Sequence, residues 1–548
     1  MNHRLRDLSA LLATSGLLWS CATAPSPEAQ APLLPGFGVA TLATNSSNAI
    51  ARQFFAQGMT QAYAFNPPEA VRAFKAGLAA DPACVLCAWG VAWQLGPNIN
   101  APDRGDLGES RRYIALAQRH AGKATPLEMA LLDAMATRYG APRDAITSGP
   151  PTDVVCGSAR EGRAHPLDIA YADRLRGLAD AMPEDADVIS LYAEAELIAT
   201  REDWWDEKTG KPAGRIGELA DRLEHALLAR PDHTGLNHYL VHTVDSSPSA
   251  ARATAAADRL GALAPASPHL LHMPSHIYVK VGRFADAARV NQEALAAEVK
   301  LTETIKAQQQ EPLWNWDRHN LHFLWFAALM QDQGELALGT ARRVAELAAQ
   351  GTSPYAAYRR SLPMLTLARL QRWDEVLKAP ALTGAQQVGV ALTLGLHGLA
   401  LASTGQLPAA EAKAATLAKI VDAADPKGAK PTELNAAASP MVRVVQGWLL
   451  AEIAWRSGKP EAALAALDKA AAAEDELGGE PPALGAGTRL LRGQGLLRAG
   501  RHAEAEAAFR DDLRLHPANV WGTRGLAQAQ QGAKAQAAAR QPLRLARG

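Results

Sequence analysis

One spacing restricts this chain more than any other feature: two copies of His-x-x-x-His stand 34 residues apart. The first is His238-Tyr239-Leu240-Val241-His242, and the second is His272-Met273-Pro274-Ser275-His276. Thirty-four residues is the length of one helix–turn–helix repeat. Within each copy the two histidines are one helical turn apart, on one face. Stacked repeats would place the second pair beside the first. Four imidazoles would then converge in one groove, which is how a helical scaffold can hold a metal ion.

Composition supports a helical array. The apolar fraction is 48% and is dominated by Ala, the strongest helix former. Few stretches alternate with period two, so the expected class is all-α. Lys+Arg and Asp+Glu both number 56 in 548 residues, a formal net charge of zero. That balance argues against nucleic-acid or anionic-membrane binding, which both need a basic face. The length suits several globular domains or one long solenoid.

Repeat spacings recur at both ends. Gly58, Ala70, Phe74 and Pro82 are matched by Gly493, Ala505, Phe509 and Pro517. Small residues allow close helix approach, Phe fills the gap between helices, and Pro ends the second helix. These positions resemble the tetratricopeptide repeat (TPR) superfamily. Further helix–Gly–helix units lie around Gly282, Gly334, Gly405 and Gly458, and Trp521 and Gly525 suit a terminal capping helix. The resemblance implies a right-handed TPR-type α-solenoid with helical insertions. The insertions are 96–163, with its Thr147–Pro151 loop, and the Trp204–Gly210 loop, either a surface loop or a lid. A narrower resemblance rests on Pro231-Asp232-His233, Asn237-His238-Tyr239, His242, His269, His272–Tyr278 and Asn320–Leu324. It points to a group of large exported bacterial TPR proteins that carries no established reaction. Asp245 stands where that group would be expected to have Glu.

The start of the chain reads as an export signal. Arg4 and Arg6 precede an apolar run from Leu8 to Trp19, too short for a permanent membrane span. Leu18-Trp19-Ser20-Cys21 resembles a bacterial lipobox, in which the Cys is lipidated. The expected organisation is a signal at 1–21, a flexible Pro/Ala-rich tether at 22–45, and N-terminal repeats with an insertion at 46–200. His-rich central repeats follow at 201–350, and C-terminal repeats with a cap at 351–548. The expected location is the periplasm, on the outer membrane through a lipid anchor alone.

Eight of the 15 histidines fall between His233 and His322. The repeat register puts His238, His242, His269, His272 and His276 on the groove side, with Asp245 on the face shared by His238 and His242. His238, His242, His272 and His276 are the expected ligands. Asp245 and His269 would orient them or add to them. Imidazole and carboxylate donors suit Zn, Cu or Fe. His319 and His322 could join from a third wall, and Pro274 should kink its helix. The same groove could instead hold a protein or peptide partner without metal. A metal-dependent oxidoreductase or hydrolase is a third reading. No Walker loop, nucleophile elbow, His-Glu-x-x-His or dinucleotide fingerprint is present, which leans against a known enzyme class. Cys84-Val85-Leu86-Cys87 could ligate metal, form a disulfide or pack in the core. The sequence is silent on oligomeric state.

Lipidation has a direct check. Cys21→Ser should leave the precursor uncut and release it from the membrane fraction. An intact Met1 in the mature protein, seen by mass spectrometry, would rule out export.

Overall fold

A computed structural model describes residues 31–100, 107–140, 164–200, 204–206, 208–384, 387–424, 440–477, 480–485 and 487–540. The signal with Cys21, the first part of the tether, the Thr147–Pro151 loop and Cys156 lie outside these residues. The described chain is an all-α solenoid built from sequential helix pairs, from Ala49–Tyr63 and Pro67–Ala80 to His502–Leu515 and Val520–Arg540. Among the described residues no helix is long and apolar enough to cross a membrane.

The glycine and phenylalanine spacings explain how neighbouring pairs stack. A Cβ on Gly58 would sit 2.4 Å from the Phe74 ring, and one on Gly90 would sit 2.7 Å from it. Phe74 is thus held between the first helix of its own repeat and that of the next. Phe509 repeats this arrangement between Gly493 and Gly525, at 2.6 and 2.4 Å. Ala70 and Ala505 are fully buried beside these rings.

Three features place the central histidines. The helix carrying the second His pair is broken as expected, into Pro268–His272 and Pro274–Lys280 with Met273 between them. Pro274 has no N–H to donate, and the His276 amide bonds back to the Met273 carbonyl at 3.2 Å. The Trp205 indole donates to the Thr243 carbonyl at 2.7 Å and so braces the end of the helix Thr234–Val244. The C-terminal repeats return to the centre, where Trp521 donates to the Leu329 carbonyl at 2.8 Å.

Residues 31–45, expected as part of a flexible tether, are packed instead. They form an extended strap across successive helix N-termini. Asn45 N donates to Glu128 at 2.9 Å, and Leu42 N and Thr41 N donate to Asp187 at 2.6 and 2.8 Å. Val39 N donates to Thr234 Oγ1 at 2.7 Å, and Ala266 N donates to the Gly36 carbonyl at 2.9 Å. Gln308 pairs with the Leu33 backbone in both directions. Gly38 has φ +106°, and a Cβ there would meet Thr234 Oγ1 at 2.3 Å. Composition suggested disorder because the strap has almost no charge and many small residues. Most of these hydrogen bonds are made by its backbone groups, which composition does not reveal. Cys84 and Cys87 form a disulfide at the start of the helix Val85–Leu95.

Two glycine substitutions test the packing rule. Gly58→Ala forces a methyl group into the Phe74 ring and should cost about 1–3 kcal/mol. Gly339→Ala, exposed on the helix Gly334–Leu347 with nothing within 4 Å, should gain up to about 1 kcal/mol from helix propensity. Denaturant unfolding of the two variants should show shifts of opposite sign.

Candidate metal centre

The helix Thr234–Val244 starts with His233, whose Nδ1 accepts from the Leu236 amide at 3.3 Å. Its other nitrogen faces Asp187 at 3.2 Å. Burial alone would raise the Asp187 carboxyl, but His233, Thr41 and Tyr63 hold it down at about 2. A charged anchor therefore fixes the start of this helix. Ser267 caps the next segment by accepting from the Leu270 amide at 3.2 Å, and Pro268 occupies its first turn.

Two groups of three imidazoles result. In the first, His238 Nε2 lies 3.1 Å from His269 Nε2 and 3.1 Å from His242 Nε2. In the second, His276 Nε2 lies 3.0 Å from His272 Nε2 and 3.5 Å from His319 Nε2. Three nitrogens bound tetrahedrally to one ion at 2.0–2.1 Å stand about 3.3 Å apart. In each group two of the three separations are close to that spacing, and all three ligand atoms lie within 4.8 Å of one another. They adjoin through one short helix, where the His269 and His272 ring centres are 6.3 Å apart.

The four expected ligands are therefore divided between two groups. His238 and His242 are together with His269, which contributes a nitrogen directly. His272 and His276 are together with His319. Asp245 caps the end of its helix and faces the second group, with Oδ2 3.6 Å from His276 Nδ1. His322 stands apart. Tyr358 donates to the Ala483 carbonyl at 2.6 Å, so His322 Nε2 donates to the Tyr358 oxygen at 3.0 Å. Its outward nitrogen is thereby used in packing.

The rear nitrogens set the tautomers. His238 Nδ1 donates to the Tyr63 carbonyl at 2.6 Å. His276 Nδ1 donates to Glu480 at 2.8 Å. His272 Nδ1 donates to Asn291 Oδ1 at 2.7 Å, and Asn291 Nδ2 donates to the Ala287 carbonyl, which fixes the amide orientation. With Nδ1 protonated, each neutral ring presents a bare Nε2 lone pair. His272 and His276 thus face each other lone pair to lone pair. Such an arrangement needs an electrophile between them, a proton or a metal ion. A shared proton joins only two nitrogens, and each group has three.

Burial disfavours the proton. His238, His242, His269, His272 and His276 are 0–1% exposed and His319 is 8% exposed. Desolvation pushes His238 down to about 3 and holds His242, His269, His272 and His319 well below the usual imidazole range. Each group also has its own phenylalanine. Phe65 lies 4.4–5.2 Å from the rings of His238, His242 and His269. Phe323 lies 4.5–5.1 Å from those of His272, His276 and His319. Trp316 stacks on His269 at 4.2 Å. An open groove was expected; the imidazoles are instead inside the solenoid, and a peptide has no direct path to them.

Glu480 comes from a loop 204 residues further along the chain. Burial would raise it, yet Lys280, 2.9 Å away, and His276 hold it in the ionised form. Asp245 is raised by burial and by the charge of Glu480. No spacing in the sequence links Glu480 or Phe65 to the histidines, whereas Phe323 stands one helical turn after His319. The second His-x-x-x-His copy signalled His272 and His276, and the nearby His319 and His322 signalled the third member of that group.

No family model and no curated protein matches the chain. Among solved structures it is similar to the P58(IPK) TPR domain, at 10% identity over 89% of this chain and 99% of that one, TM-score 0.22. It is similar to human IFIT1 in a dimer with m7Gppp-AAAA, at 13% identity over 89% and 91%, TM-score 0.32. Yeast Tom70 aligns at 10% identity over 90% of each chain, TM-score 0.24. Likenesses this distant carry no argument about function.

Burial of neutral His238 has a pH signature in metal-stripped protein. Its folded pKa is below the unfolded value, so protons bind the unfolded chain preferentially as pH falls below about 6.5. Its contribution is complete above that pH and is lost progressively down to about 3. The stability difference between the parent and His238→Gln should therefore rise with pH across this window, by about 1.4 kcal/mol per unit. Urea midpoints of both proteins in chelator at several pH values provide the check.

Proposed function

We propose that this protein is an exported TPR-type repeat protein that holds two transition-metal ions in adjacent tri-imidazole sites. His238, His242 and His269 hold one ion; His272, His276 and His319 hold the other. The observation that carries this reading is the convergence of three buried imidazoles in each group, with rear hydrogen bonds that orient His238, His272 and His276. Tyr63, Asn291, Glu480 and Asp245 act behind the ligands to fix ring orientation and basicity. The donor set suits Zn, Cu or Fe and suits Mg or Ca poorly.

Export and lipid anchoring belong to the same proposal. They rest on the basic-then-apolar start and the lipobox-like Cys21. The Cys84–Cys87 disulfide supports them, because such bonds persist in oxidising compartments. Repeat arrays of this kind present extended surfaces for protein partners. A partner would use those outer surfaces, since the imidazoles are enclosed.

Elemental analysis of protein purified without an affinity tag tests the centre. Two ions per chain are expected. His242→Ala and His319→Ala should each remove one, and the double variant His238→Ala/His276→Ala should remove both. Glu480→Gln should weaken the second site by roughly 10–100-fold. Chelation should lower the melting temperature of the parent and leave the double variant unchanged, because an ion that binds only the folded form stabilises by mass action. Failure to take up any ion after reconstitution with Zn(II), Cu(I) and Fe(II) in turn would falsify the proposal.

A further inference from the structure

Charge discriminates among the ions that six imidazoles could hold. An imidazole binds a metal only as the neutral base, and Lys280 offsets Glu480. Asp245 is the remaining carboxylate in contact with a ligand ring. Two divalent ions would place four positive charges in an enclosure lined by Phe65, Phe323 and Trp316. The cost of burying charge rises steeply with its magnitude. Two monovalent ions halve that charge. Among the metals that imidazole suits, copper has a stable monovalent state, and three nitrogen donors complete its preferred low coordination.

The approach to the first group limits the guest. A crevice with about 10 Å³ of free space reaches His269, lined by Phe37, Trp314, Trp316 and Glu298. That is room for a guest of about one water's size. An organic substrate does not fit this crevice, so a guest arriving through it has to be of diatomic size or smaller.

Resting on the two-ion reading, we propose that the paired sites hold two copper(I) ions that bind dioxygen. Each copper(I) gives up one electron. Dioxygen takes both and becomes a peroxide dianion bonded to the resulting copper(II) ions, with no proton transferred and the O–O single bond retained. The summed charge of ions and guest is two before and after. A dry enclosure therefore does not oppose the step, as it would oppose oxidation of either copper alone. The shared helix sets the groups side by side, with the His269 and His272 ring centres 6.3 Å apart, and the proposal requires one guest to meet both ions.

The test is anaerobic loading of metal-free protein with copper(I), its stoichiometry set by competition with a chromophoric copper(I) chelator, followed by exposure to dioxygen. Uptake of one dioxygen per two coppers is expected. A strong near-ultraviolet charge-transfer band should appear with it, and the paired copper(II) spins should leave the electron paramagnetic resonance spectrum silent. His319→Gln should retain one copper and lose the uptake and the band. Two bound coppers with no uptake, or with two ordinary isolated copper(II) signals, would overturn the inference and leave the two-ion reading standing. So would tighter binding of zinc than of copper(I) at both sites. Absence of any metal binding overturns the two-ion reading and this inference together.

Discussion

The structure depends on how facing lone pairs are tolerated in a dry interior. Imidazoles at 3.0 Å with bare nitrogens toward each other repel, and burial removes the water that would separate them. The surrounding protein opposes relaxation. Tyr63, Asn291 and Glu480 hold the rings from behind, and Phe65 and Phe323 close the sides. Rings free to turn would rotate apart. Such preorganisation is the expected cost of a site whose stabilising ligand is an ion.

Much of this was legible in the spacing of residues. The Gly58–Phe74 and Gly493–Phe509 offsets describe real contacts, because helix packing is local and repeats with the chain. The His pairs signalled a cluster for the same reason. Their division into two groups was not legible. A 34-residue offset states that neighbouring repeats are side by side, but not how far a ring reaches. His269 lies one turn before His272 on a helix broken at Met273, and the two rings serve different groups. Glu480 was invisible because its approach depends on the superhelix returning to its own centre, a sum of many small rotations.

That return changes what the C-terminal repeats do. Through Glu480 and Ala483 a loop near their middle supports His276 and Tyr358. Trp521 holds the end of the helix that carries His319 and His322. The central repeats are therefore not an independent module. Contacts in a simple solenoid run between neighbours only, and here a third kind of contact ties distant repeats to the same histidines. Loss of the terminal repeats would expose the second group from behind.

The strap has a consequence for the order of events during synthesis. Its residues leave the ribosome before nearly everything they will touch: Asp187, Thr234, Ala266 and finally Gln308 come much later. Helix pairs can form as they emerge, since their contacts are local. Some of its partners, such as Gln57 and Glu128, come early, but the strap cannot be completed until more than half the chain has been made. It then crosses four helix starts in sequence, from Glu128 to Ala266, and works as a closing seam laid over a finished stack. A nascent chain halted before Gln308 would own most of the seam and lack its last contact, at Leu33.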